Sequence, residues 1–210
     1  MKESAFTPEL LAYLETIESE FVKIPEDRIR ILKQITEFID QRYKSSQTAE
    51  LVFICTHNSR RSQFGQIWAA TAAEYYGIRG LTSYSGGTEA TSFNPHAVGA
   101  IKRAGFMVDN SSRNPDNPAY KVQTSEGSPV YTMFSKKYDD PVNPSRDHCA
   151  IMVCSDADMA CPIIPNAIER ISLPYEDPKK FDGTPLEILK YDERCREIAR
   201  DIHYVLRMLR

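Results

Sequence analysis

Cys55 and Arg61 stand six positions apart in the run Leu51-Val-Phe-Ile-Cys55-Thr56-His57-Asn58-Ser59-Arg60-Arg61-Ser62, a spacing that lets one short loop wrap a tetrahedral oxyanion. Cys55 supplies a thiolate, the nucleophilic form of the residue, and Arg61 a planar two-pronged donor for two anion oxygens. The peptide N–H groups of residues 56 to 61 are expected to lack strand or helix acceptors, so Thr56, His57, Asn58, Ser59, Arg60 and Arg61 together form an anion cradle. Ser62 can donate a hydrogen bond to the Cys55 sulfur. The chemistry implied is attack of a thiolate on a bound tetrahedral oxyanion.

Two elements must position this loop. Residues 51–54 are apolar and rich in β-branched and aromatic side chains, as in a strand buried on both faces. After the loop, Phe64, Ile67, Trp68, Ala72 and Tyr75 recur at helical spacing up to Gly77, a C-terminal cap. The helix dipole then adds to the field at the loop. A cysteine six residues before an arginine is a weak signal by itself. The strand before it, the helix after it, Asn58 within it and Ser62 beside the arginine make it specific.

Further strands are expected near 81–85, 149–154 and 168–173, and helices near 94–105 and 186–208. This alternation predicts an α/β three-layer sandwich with a small parallel sheet of about four strands, the loop lying at the carboxyl end of the first. Residues 49–210 form that domain, and residues 1–48 form an N-terminal helical extension. Within it Thr7 and Pro8 open one helix carrying Leu10, Leu11, Leu14 and Ile17, and Pro25 opens a second carrying Ile29, Leu32, Ile35, Phe38 and Ile39. Packing on the chain's own core is the expected use of these stripes, and a homodimer interface is the alternative. Residues 111–148 form an extended insertion with a hairpin of 121–124 and 129–134 across 125–128. Its Tyr120, Tyr131, Phe134 and Tyr138 are expected either to line the mouth of the anion site or to anchor the insertion.

The run from Cys55 to Ser62 resembles the phosphate loop of the low-molecular-weight protein tyrosine phosphatases and of their relatives, the thioredoxin-coupled arsenate reductases. The resemblance extends over most of residues 50–210: Tyr84-Ser85-Gly-Gly-Thr88 with Asn94-Pro95-His96, Cys154 to Cys161 with Pro162, and Glu176-Asp177-Pro178 all have counterparts. It implies that Asp177, on an extended backbone before Pro178, is the general acid that protonates the leaving oxygen. It also implies a thiol relay. Cys55 attacks arsenate, Cys154 attacks the adduct and releases arsenite, and Cys161 closes a final disulfide with Cys154 that a thioredoxin-like reductant reopens. The alternatives are a tyrosine phosphatase hydrolysing a phosphate monoester, with Cys154 and Cys161 structural, and a non-catalytic module that binds phosphorylated ligands. Two positions depart from the family's loop: His57 stands where relatives carry glycine, with strain expected if its φ is positive, and Arg60 replaces a second cysteine. The helical extension is a third departure.

An intact helix across residues 154–161 would separate the two cysteine Cα atoms by roughly 10 Å, whereas a disulfide tolerates about 7 Å. The segment must therefore be looped when reduced or unwind on oxidation, and Pro162 limits any helix there. Cys149 and Cys195 read as packing residues. The chain's 210 residues, five cysteines and formal charge of −3 suit an enzyme of the reducing cytoplasm with no nucleic-acid partner. No signal peptide, membrane span, zinc-ligand spacing or cofactor motif is evident in the sequence.

Overall fold

The computed structural model describes residues 5–110, 112, 114–161 and 163–210; the expected helix-limiting role of Pro162 lies outside them. Four parallel strands make the central sheet: β1 (Ala49–Cys55), β2 (Leu81–Gly87), β6 (His148–Met152) and β7 (Ala167–Ser172), in the order β2-β1-β6-β7. The chain runs from β1 to one neighbour and later returns to the other side, so the end of β1 is a topological switch point where such sheets open a crevice. Cys55 is the last residue of that strand.

Helix α3 (Arg61–Tyr76) leaves the loop and lies on β1 and β2, and α6 (Glu187–Arg207) packs against α3. Buried on nearly all sides, α3 carries Phe64, Ile67 and Trp68 without exposure and ends at Gly77, whose φ of 69° makes the left-handed cap. Helix α4 (Pro95–Arg103) begins where the Asn94 side chain accepts from the His96 and Ala97 amides.

The N-terminal helices α1 (Pro8–Ile17) and α2 (Glu26–Lys44) are joined by a 3-10 turn over Glu18–Lys23. Their stripes are used inside the chain: Leu10, Leu14, Ile17, Leu32, Ile35 and Ile39 have no exposure, and α2 rests on β1, β7 and α6. These six side chains are thus covered by the chain's own core.

The insertion does form the hairpin, β4 (Tyr120–Gln123) with β5 (Tyr131–Met133), but β3 (Met107–Asn110) joins it to make a three-stranded antiparallel sheet. A four-residue strand with one half-buried and three exposed side chains carries too little alternation to be legible beforehand. Residues 155–160 are α5 (Ser155–Ala160), an intact helical turn and a half, which excludes the looped alternative for the reduced state.

Candidate active site

The loop between β1 and α3 is turned so that its carbonyls face outward. Thr56 O accepts from the Glu89 amide at 2.8 Å, His57 O from Ser135 Oγ at 2.8 Å, Asn58 O from Gln63 Nε2 at 2.9 Å and Ser59 O from the Asn94 amide at 2.9 Å. Among the described residues no acceptor meets the N–H groups of residues 56 to 61. N–H groups left unmet at a helix N-terminus are donors of the kind an anion takes up. Gly87 permits this packing, since a Cβ there would stand 2.7 Å from both Asn58 N and Thr56 O.

The residue with positive φ is Asn58, at 46°, and not His57. Asparagine tolerates the left-handed region, so the strain expected of His57 does not arise. Asn58 also ties the loop together. Its Nδ2 donates to Ser62 Oγ at 2.8 Å, and its Oδ1 accepts from the Lys136 amide at 2.9 Å. Ser62 Oγ lies 3.1 Å from Cys55 Sγ. Because Ser62 already accepts from Asn58, its own hydroxyl hydrogen is free to point at the sulfur.

Arg60 and Arg61 are each 7% exposed. A guanidinium so deep needs acceptors, and the expected fork onto two anion oxygens is instead taken by the segment after β7. Arg61 Nη1 donates to Tyr175 O at 2.8 Å and Nη2 to Asp177 Oδ2 at 2.6 Å, while Arg60 Nε donates to Asp177 Oδ1 at 3.0 Å. Arg61 Nε is buried with no partner among the described residues, a donor left unmet beside the two that Tyr175 O and Asp177 take. Burial alone would raise the pKa of Asp177, but Arg61 and Arg60 outweigh it and hold the carboxyl below the ordinary 3.8. Cys55, His57, Ser59, Arg60, Arg61 and Asp177 line one narrow cleft.

Cys154 is fully buried beside this loop, with Sγ 3.5 Å from Thr56 Oγ1, the residue after Cys55. It caps α5, accepting from the Ala157 amide at 3.4 Å, and half-buried Cys161 closes the other end. All five cysteines are free thiols. Cys149 and Cys195 are buried in the core, and burial pushes Cys195 up to about 12.

The structure therefore gathers Cys55, Arg60, Arg61, Ser62 and Asp177 at one cleft, with Cys154 behind it and Cys161 a helix away. It does not bring the insertion's aromatics there. Tyr120 packs on Phe93, and Tyr131 lines a different pocket together with Ala73 and Glu74. Phe134 contributes only its carbonyl, to Gln63, and the Tyr138 backbone packs against Gly86. Sequence reasoning missed Tyr175, whose carbonyl holds Arg61, and Gln63, which bridges Asn58 to the insertion; backbone acceptors leave no signal in side-chain type.

A parallel sheet with a cysteine and an arginine around the loop at its switch point is the arrangement expected from the resemblance drawn above. No family model matches the chain. The arsenate reductase of Bacillus subtilis (strain 168) is 30% identical over 147 residues, which are 70% of this chain and 86% of that protein. The arsenate reductase of Bacillus licheniformis is 29% identical over 150 residues, with the same shares. A crystal structure of a YwlE mutant from Bacillus subtilis shares the fold with a TM-score of 0.54 at 16% identity, covering 77% of this chain and 99% of that one. The chain belongs to the arsenate reductase family. Among the described residues no helix is long and apolar enough to cross a membrane.

Proposed function

We propose that this chain reduces arsenate to arsenite through Cys55, Cys154 and Cys161. The observation that carries this reading is the 3.5 Å approach of Cys154 Sγ to Thr56 Oγ1, which sets a second thiol against the loop that holds the nucleophile. Hydrolysis of an ester needs one thiolate, whereas arsenate reduction needs two electrons, and a second thiol supplies the means.

The loop N–H groups and Arg61 hold the oxyanion, which displaces Asp177 from its arginine partners. Deprived of those charges and set beside an anion, the carboxyl takes up a proton and serves as general acid. Cys55 attacks arsenic, an arsenic–sulfur bond forms, and one oxygen leaves as water with the proton from Asp177. Cys154 then attacks the Cys55 sulfur. A sulfur–sulfur bond forms and the electron pair of the arsenic–sulfur bond stays on arsenic, which departs as arsenite. Cys161 attacks Cys154, frees the Cys55 thiolate and leaves a Cys154–Cys161 disulfide. A thioredoxin-like dithiol returns that disulfide to two thiols. Since α5 holds these cysteines at its two ends, closing the bond unwinds it.

The second reading is hydrolysis of a phosphate monoester, favoured by the presence of Asp177 in the same cleft as Cys55. The test is arsenite production with thioredoxin and its reductase, beside hydrolysis of an aryl phosphate, in wild type and in Cys55→Ser, Cys154→Ser and Cys161→Ser. The reductase reading expects sustained arsenite production in the wild type alone, with no more than about one arsenite per chain from Cys161→Ser, because arsenite leaves before Cys161 acts. Phosphatase turnover that survives both distal serine changes, with no arsenite formed, leaves the phosphatase. No turnover of either substrate leaves a binding module.

A further inference from the structure

We propose that Arg28, on the N-terminal helix α2, is a positioning residue for the general acid Asp177; this rests on the role given to Asp177 above. Arg28 reaches out of the extension and seizes the segment that leads into the acid. Its Nη1 donates to Pro174 O at 3.1 Å, and its guanidinium carbon sits 4.2 Å from the centroid of the Tyr175 ring. Its Nε donates to Asp201 Oδ2 at 2.5 Å, and that carboxylate has no exposure. One side chain thus joins three elements: α2, the segment after β7, and α6.

The consequence runs through Tyr175. Its ring is held by Arg28 and its carbonyl accepts from Arg61 Nη1 at 2.8 Å, so Arg28 fixes the residue that in turn orients the anion-binding guanidinium. Asp177 follows two positions on. Its own anchors are Arg60, Arg61 and the Lys179 amide, and the first two are the groups an arriving oxyanion claims. Once that exchange occurs, the Arg28 clamp on residues 174 and 175 and the turn at Lys179 remain to keep the carboxyl over the cleft. A stacked cation that also donates to a carbonyl and a buried carboxylate is a demanding geometry that arginine meets and lysine does not. The helical extension therefore contributes to chemistry as well as to packing.

The experiment combines two measurements on the full chain. Hydrogen–deuterium exchange of Arg28→Met needs no substrate, and the proposal expects exchange across residues 174–182 to accelerate about tenfold or more while β1 and α3 keep their protection. Kinetics, on whichever of arsenate and aryl phosphate the wild type turns over, should show kcat down about ten- to a hundredfold with KM within about twofold. In an Asp177→Asn background the same change should cost almost nothing further. If Arg28→Met leaves Asp201 too poorly partnered to fold, Arg28→Lys keeps a cation on that carboxylate while losing the bond to Pro174 O, and the same pattern is expected in milder form. Exchange across 174–182 no faster than in the wild type overturns the proposal, as does a kinetic loss carried in full into the Asp177→Asn background. A wild type that forms no arsenite overturns the reductase reading instead and leaves the exchange measurement to decide on Arg28.

Discussion

Arg61 Nη2 donates to Asp177 Oδ2 at 2.6 Å, so the residue proposed to clamp the anion and the residue proposed as the acid engage each other. Arg60 reinforces the contact at 3.0 Å. The pairing stores the acid in its ionised form against the groups that the substrate will claim. Substrate binding and acid activation thereby become one exchange of partners.

Removing the carboxylate should separate those two effects. Asp177→Ala frees Arg60 and Arg61, so phosphate and arsenate should bind severalfold more tightly by calorimetry. Turnover should fall by about a hundredfold or more, as general-acid losses do. Weaker oxyanion binding in the variant would show that the carboxylate is not competing for the arginines.

The same contact has a pH signature. Arg61 and Arg60 hold Asp177 below the ordinary 3.8 despite its burial, so its contribution to stability is fully present above that value and lost as pH falls through the lower folded value. Unfolding midpoints of wild type and Asp177→Asn should converge as acid is added through that range. Saturating phosphate should move the carboxyl's titration upward in carbon-13 spectra. A titration unmoved by phosphate would break the link between binding and proton uptake.

Much of this site was legible because side-chain type and spacing encode it. Cys55, Arg61 and Ser62 could be placed from the strand, loop and helix pattern, and the parallel sheet from the alternation of apolar runs. Partners far apart in sequence were not legible: Arg28 with Asp201, and Arg61 with Tyr175, meet only once α2, α6 and the segment after β7 are packed. Strain was expected of His57 only if its φ were positive, and the positive φ falls instead on Asn58, whose side chain tolerates it. For the insertion's aromatics the sequence left two uses open, the mouth of the cleft or anchoring, and the structure shows Tyr120 packed on Phe93.

Asn58 should be the most sensitive loop residue outside the chemistry itself. Alanine there loses the bonds to Ser62, Gln63 and the Lys136 amide and places a non-glycine, non-asparagine side chain at φ 46°. The expected loss is about 2 to 4 kcal/mol in urea unfolding. Asn58→Gly relieves the backbone alone and should recover only part of it. Equal stability of wild type and Asn58→Ala would contradict the role assigned to this network.

Lys136 offers a test with the opposite sign. Burial lowers its amine to about 8 from the ordinary 10.5, with Asp140 opposing the shift. Between those values the unfolded chain binds the proton and the folded chain does not, so stability rises with pH across that window. Below it the folded state carries a charge it disfavours, and Lys136→Met should be more stable than wild type near neutrality. That advantage should shrink as pH climbs through the window; an advantage independent of pH would assign the effect to packing.

The most direct test of the thiol relay is a single turnover: reduced protein, one equivalent of arsenate and no external reductant, followed by arsenite quantitation and disulfide mapping by mass spectrometry. The relay predicts about one arsenite per chain, a Cys154–Cys161 disulfide in the same yield, and lost amide protection across Ser155–Ala160 as the helix opens. Arsenite formed with Cys154 and Cys161 still as free thiols, or no arsenite from a protein that hydrolyses aryl phosphate normally, would contradict it.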